Sequence, residues 1–107
     1  MAKITYVSSA GCERIVEVPT GTNVMDGALR NDIEGIIGDC AGGCTCSTCH
    51  VYVEESWVAR LAPPIDIETS MLELAAAPLR PTSRLACQIV VRDDLDGLVV
   101  HIPSTQR

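Results

Sequence analysis

Cys40 Ala41 Gly42 Gly43 Cys44 Thr45 Cys46 Ser47 Thr48 Cys49 His50 holds four of the six cysteines of a 107-residue chain; Cys12 lies upstream and Cys87 far downstream. Gly35, Gly38, Gly42 and Gly43 break any regular period between Asn31 and Cys49, so the stretch reads as a long structured loop. A loop of this length in a small domain carries function or is disordered. The start Met1 Ala2 Lys3 Ile4 Thr5 Tyr6 has no apolar signal core, so a cytoplasmic location is expected. The cytosol keeps thiols reduced, and clustered cysteines there point to metal binding or redox chemistry rather than to a disulfide framework.

Working outward, Lys3–Ser8 and Arg14–Val18 alternate polar and apolar residues around Ser9 Ala10 Gly11, which predicts a hairpin closed off by Pro19 Thr20 Gly21. Val24, Met25, Ala28 and Leu29 follow at helical spacing behind a cap at Thr22 or Asn23, with their apolar face expected on the hairpin. Cys49–Val53 reads as a strand leaving the loop, and Ser56–Leu61 as a helical turn stopped by Pro63 and Pro64. Asp66 is placed as the N-cap of a helix from Ile67 to about Ala76. Arg84–Val91 and Leu98–Ile102 are expected as strands around the turn at Asp93–Gly97. The pattern predicts an α+β domain with a small mixed sheet and short helices, a single domain over residues 1–107.

Composition narrows the function. A net charge of -6 repels a phosphate backbone, which argues against a nucleic-acid partner. Tyr6, Tyr52 and Trp57 are the sole aromatics, too few for a stacking platform. No apolar run reaches the roughly 18 residues of a membrane span.

Cys40, Cys46 and Cys49 stand as C-x5-C-x2-C, and Cys87 follows after a long interval. Three thiolates on one loop and a fourth from a strand match the needs of a 2Fe-2S cluster, with one residue more in the first gap than the plant-type spacing. Such a cluster attracts inward-turned backbone N–H groups, which the small residues Ala41, Gly42 and Gly43 permit. Two ferric ions, two sulfides and four thiolates leave a doubly negative centre, and an added electron makes it more negative, so those donors matter most to the reduced state.

Gly38 Asp39 Cys40, Cys46–Val53, Met71–Leu74, Ser83–Ile89 and Asp96–Pro103 together resemble the adrenodoxin and putidaredoxin family of 2Fe-2S ferredoxins along almost the whole chain. The resemblance implies a β-grasp ferredoxin fold holding one 2Fe-2S cluster on Cys40, Cys46, Cys49 and Cys87, the ligands that spacing also selects. Ala41, Gly42, Gly43, Cys44 and Thr45 would line the cluster. It further implies a one-electron carrier, not itself an enzyme. Such a carrier would work as a monomer in transient complexes between an FAD-containing, NAD(P)H-dependent reductase and a cytochrome P450. Supply of electrons for iron–sulfur cluster assembly is the alternative acceptor role. Asp39, Asp66 and Glu73 are the partner contacts that the family likeness suggests.

Other chemistries fit parts of the pattern. Cys46–His50 matches C-x-x-C-H of c-type haem attachment but leaves Cys40 and Cys87 unused. Four thiolates also suit zinc, giving a zinc-stabilised binding module as a reading from another class. A thioredoxin-like C-x-x-C would open a helix after a strand, whereas here it ends a loop. Cys12 is expected as a small turn residue and Cys44 as a spare thiol beside the cluster. His50 is expected to hydrogen-bond the loop or the C-terminal segment, His101 to face solvent, and Arg84 to hold backbone or a carboxylate. Glu68 is grouped with Asp66 and Glu73 on an acidic helix face.

Overall fold

The computed structural model describes residues 2–31, 33, 36, 49–61, 64–73, 75 and 77–103. Alternation builds the first hairpin. In β1 (Ala2–Val7) the side chains of Ala2, Ile4 and Tyr6 are buried, and β2 (Glu13–Val18) runs antiparallel from Val7↔Glu13 to Ala2↔Val18. The turn between them is tied by Gly11 N–H to the Ser8 carbonyl at 2.9 Å, with Gly11 at φ 86°, a conformation that favours glycine. Cys12 is exposed in this turn, as expected.

Helix α1 (Val24–Arg30) is capped by Asn23, whose Oδ1 accepts the Asp26 N–H at 2.7 Å. Its packing face differs from the expected one in a single respect: Gly27 is buried, while Leu29 is exposed. A Cβ on Gly27 would stand 2.8 Å from Val18 Cγ2 and 2.9 Å from Tyr6 Oη, so the helix reaches the hairpin only because that side chain is missing. Tyr6 Oη then donates to the Val24 carbonyl at 2.7 Å. Burial pushes the Tyr6 phenol above its ordinary pKa, so it remains a donor.

Three further strands complete a five-stranded sheet in the order β2-β1-β5-β3-β4, where β3 is His50–Val53, β4 Ser83–Leu85 and β5 Val99–His101. The β1–β5 pair is parallel and the others are antiparallel, which makes the sheet mixed as the pattern predicts. Helix α2 (Glu55–Val58) continues as hydrogen-bonded turns to Leu61, and Trp57 packs on the core beneath the Arg60 guanidinium at 4.9 Å. Among the described residues, no helix is long and apolar enough to cross a membrane.

Two expectations are corrected. Helix α3 runs Asp66–Leu72 with Ile65, not Asp66, at its N-cap, and it buries Glu68 and Leu72 while Ile67 is 59% exposed. Glu68 takes the inward position in place of the apolar Ile67 because Arg84 and the Leu85 amide satisfy its carboxylate. The apolar run Arg84–Val91 is likewise not one strand. After β4 it tightens into a 3-10 turn, Ala86–Gln88, and the isolated bridge Val90↔Asn23 carries it back to the start of α1. That run is apolar because Leu85, Ala86, Ile89 and Val91 all pack into the core from an irregular path.

Candidate metal centre

Cys49 closes the long loop and is almost wholly buried at the entrance of β3. Its carbonyl accepts the Ala86 N–H at 2.9 Å, extending the β3–β4 ladder one step past His50↔Leu85. That bond brings the segment carrying Cys49 against the one carrying Cys87, which is buried on the 3-10 turn and not on a strand. Gln88 Nε2 donates to Cys87 Sγ at 3.4 Å. Cys40, Cys46 and the expected lining Ala41, Gly42, Gly43, Cys44 and Thr45 lie outside the described residues, as does Asp39.

A buried ion pair fixes the approach to Cys87. Arg84 places Nε 2.7 Å from Glu68 Oε2 and Nη2 3.0 Å from Oε1, a bidentate pair in which Glu68 is 1% exposed. Glu68 Oε2 also accepts the Leu85 N–H at 3.0 Å, and the Arg80 carbonyl accepts the Ser83 N–H at 2.9 Å. These bonds occupy two amides of β4, the last strand of the sheet, which blunts an edge open to pairing with another chain. Arg84 thus holds a carboxylate, as expected. Glu68, read as part of an acidic face, is instead the post on which the strand before Cys87 hangs.

His50 follows Cys49 with its ring buried, and its Nε2 lies 2.9 Å from Ser83 Oγ, an oxygen that also accepts the Arg80 N–H at 2.9 Å. Burial first, and the Arg80 charge second, push its pKa below the ordinary value, which favours neutral imidazole at pH 7. The ring meets Tyr52 edge-on with centroids 4.8 Å apart, and Tyr52 Oη donates to the Pro78 carbonyl at 2.6 Å. His50 therefore braces β3 against β4. His101 is half exposed, but its Nε2 pairs with Glu54 Oε2 and does not simply face solvent.

Two buried thiols of different segments, one with an amide N–H on its sulfur, form a donor set that fits an iron–sulfur cluster, whose ligands are thiolates supported by such donors. Among the described residues no group of three or more His, Cys, Asp or Glu side chains offers a competing metal site.

Comparison with known proteins decides the family. The profile of the 2Fe-2S iron-sulfur cluster binding domain matches residues 7–92. The chain belongs to the 2Fe-2S ferredoxins. This ferredoxin is 43% identical to putidaredoxin of Pseudomonas putida over 106 residues, 99% of each chain. A crystal structure of reduced putidaredoxin bearing one cysteine substitution superposes with a TM-score of 0.97 at 42% identity, covering 99% of this chain and 100% of the other. A covalent complex of putidaredoxin reductase with putidaredoxin matches with a TM-score of 0.93 at 43% identity, over 95% of this chain and 98% of that one. The mixed sheet with its short helices is accordingly a β-grasp α+β fold, and the ferredoxin carries one 2Fe-2S cluster as a putidaredoxin-like electron carrier. The zinc-module reading gives way to that match.

When bound, the cluster supplies one-electron chemistry without making or breaking covalent bonds in a substrate. The protein's share is visible in what the chain does around it. Cys49 and Cys87 are buried, Glu68 pairs with Arg84 and accepts the Leu85 N–H two residues before Cys87, and Gln88 Nε2 donates to Cys87 Sγ; were the cluster held there, these groups would keep water from it and orient a donor toward it. Sequence alone reads Glu68 as a surface acid and does not single out Gln88. Arg84, three residues before Cys87, was the available signal for a carboxylate partner, and a lone amide beside a cysteine carries none.

Proposed function

We propose that Cys40, Cys46, Cys49 and Cys87 are the cluster ligands and that residues 41–45 line it. On this reading the protein, with no catalysis of its own, takes electrons singly from an FAD-containing, NAD(P)H-dependent reductase and delivers them to a cytochrome P450. It works in the cytoplasm as a monomer forming transient complexes. The observation that carries the ligand set is the bond from Ala86 N–H to the Cys49 carbonyl, which brings two cysteine segments far apart in sequence together at the family's cluster-binding domain. Full-length likeness to putidaredoxin, including the form bound to its reductase, supports the redox chain.

The docking face that fits this role is acidic with an apolar centre. Asp66 and Glu73 are exposed on and just after α3, beside Ile65 and Ile67 at 57% and 59% exposure, and Asp39 directly precedes Cys40 in sequence. Charges of this kind steer a basic partner into a small, short-lived interface. Asp39→Asn, Asp66→Asn and Glu73→Gln are each expected to slow reduction by putidaredoxin reductase, and delivery to a P450 read as its ferrous–carbonyl spectrum. The loss should be about threefold at low ionic strength and should shrink as salt screens the attraction. Equal slowing at low and high salt would refute the steering role, and a reduced protein that fails to reduce any P450 tried would refute the acceptor.

A further inference from the structure

Gln88 is held in place from both sides. Leu85 N–H is bound by Glu68 and Ala86 N–H by the Cys49 carbonyl, while the Ile89 carbonyl accepts the Val24 N–H of α1 at 2.9 Å. Leu85, Ala86 and Ile89 are buried, so the backbone of the intervening Cys87–Gln88 pair has little freedom. The Gln88 side chain, half-buried beside Leu61, Arg84 and Ile89, puts Nε2 3.4 Å from Cys87 Sγ. A thiolate can only accept, so the amide must present its N–H to the sulfur.

We propose that the Gln88 side-chain amide sets the electron affinity of the centre by donating to the Cys87 sulfur. The inference rests on the reading of Cys87 as a ligand. An added electron raises the negative charge that the sulfurs share, and an N–H dipole aimed at one of them interacts more strongly with the reduced than with the oxidised state. That difference, not the strength of the bond itself, moves a reduction potential. A fully exposed amide would be exchangeable for water with little effect, but Gln88 is half-buried against neighbouring side chains and its backbone is pinned. The amide is neutral, so its effect on the potential persists in salt, unlike that of the surface carboxylates.

Gln88→Met keeps the length of the side chain and removes the donor. In a dithionite titration of the cluster-loaded protein, the ratio of reduced to oxidised protein at fixed potential is expected to fall about tenfold, equivalent to about 59 mV for one electron. Iron and sulfide contents should be unchanged. The unmodified protein gives an independent reading, because it contains two glutamines, Gln88 and Gln106. With the glutamine amide nitrogens isotopically labelled, pulsed electron paramagnetic resonance of the reduced protein should show a coupling that persists in Gln106→Glu. This second measurement decides the matter even if Gln88→Met does not retain its cluster. A change below about twofold in Gln88→Met at full iron and sulfide content, or no coupling in the labelled protein, would overturn the role of Gln88. Failure of the ligand reading looks different: Cys87→Ala would then keep its full complement of iron and sulfide.

Discussion

Cys87→Ala, prepared anaerobically, is expected to emerge without a stable cluster, with iron content down at least about tenfold relative to the parent protein. Removing the sulfur leaves three of the proposed ligands and the spare Cys44 thiol, all within residues 40–49, and no thiolate from the segment that carries residue 87. No described side chain is placed to substitute. His50, next to Cys49 in sequence, has Nε2 engaged by Ser83 Oγ, and the 3-10 turn is anchored by buried Ala86 and Ile89. Because free energy of metal binding is also free energy of folding, the colourless variant should unfold at a lower temperature as well. Cys12→Ala is the control: Cys12 is exposed in the β1–β2 turn, and its removal should leave colour and iron content unchanged. Full iron and sulfide in Cys87→Ala would remove it from the ligand set.

Arg84→Met is expected to cost about 3–5 kcal/mol, because it strands the Glu68 carboxylate, 1% exposed, without its cation. For a domain of this size that is a fall in thermal midpoint on the order of 15 °C or more. The double variant Glu68→Gln with Arg84→Met removes the buried charge along with its partner and keeps an acceptor for the Leu85 N–H. It should recover more than half of the loss, since a buried pair exchanged for neutral groups of similar volume is often close to neutral. The consequence reaches the metal centre, because Leu85 stands two residues before Cys87. Cluster bleaching in urea should therefore be faster in Arg84→Met than in the double variant. A double variant no more stable than Arg84→Met would show that the loss came from the packing of the arginine stem and not from a stranded charge.

Most of the fold was legible because it follows alternation and capping. The hairpin, Asn23 as one of two candidate caps, and the mixed sheet all rest on local patterns that packing reinforces. What escaped were places where the core accepts something other than an apolar side chain. Gly27 faces the hairpin because the helix needs no Cβ there, so a count of apolar residues chose Leu29 instead. Glu68 faces inward because Arg84 and the Leu85 amide satisfy it, so grouping it by charge with Asp66 and Glu73 put it on the wrong face of α3. The run Arg84–Val91 has the composition of a buried strand, and only the bonds of Ala86 and Ile89 to partners outside β4 reveal the 3-10 turn beneath Cys87.

The C-x5-C-x2-C spacing with a distant Cys87 was plain in the sequence because a 2Fe-2S cluster requires four thiolates however the backbone reaches them. Cys49 and Cys87 are now placed on adjoining segments, whereas Cys40 and Cys46 stand on residues outside those described. Partner contacts were the least legible part, since an exposed Asp66 or Glu73 looks the same in a docking face as in any solvated one.

The most direct test of the account is anaerobic absorption and electron paramagnetic resonance of the purified protein before and after dithionite, with iron and acid-labile sulfide analysis. A brown protein with about two irons and two sulfides per chain is expected, one that bleaches in part on reduction and gains a spin-half signal. A colourless protein that stays spin-silent after reconstitution with iron and sulfide would contradict it.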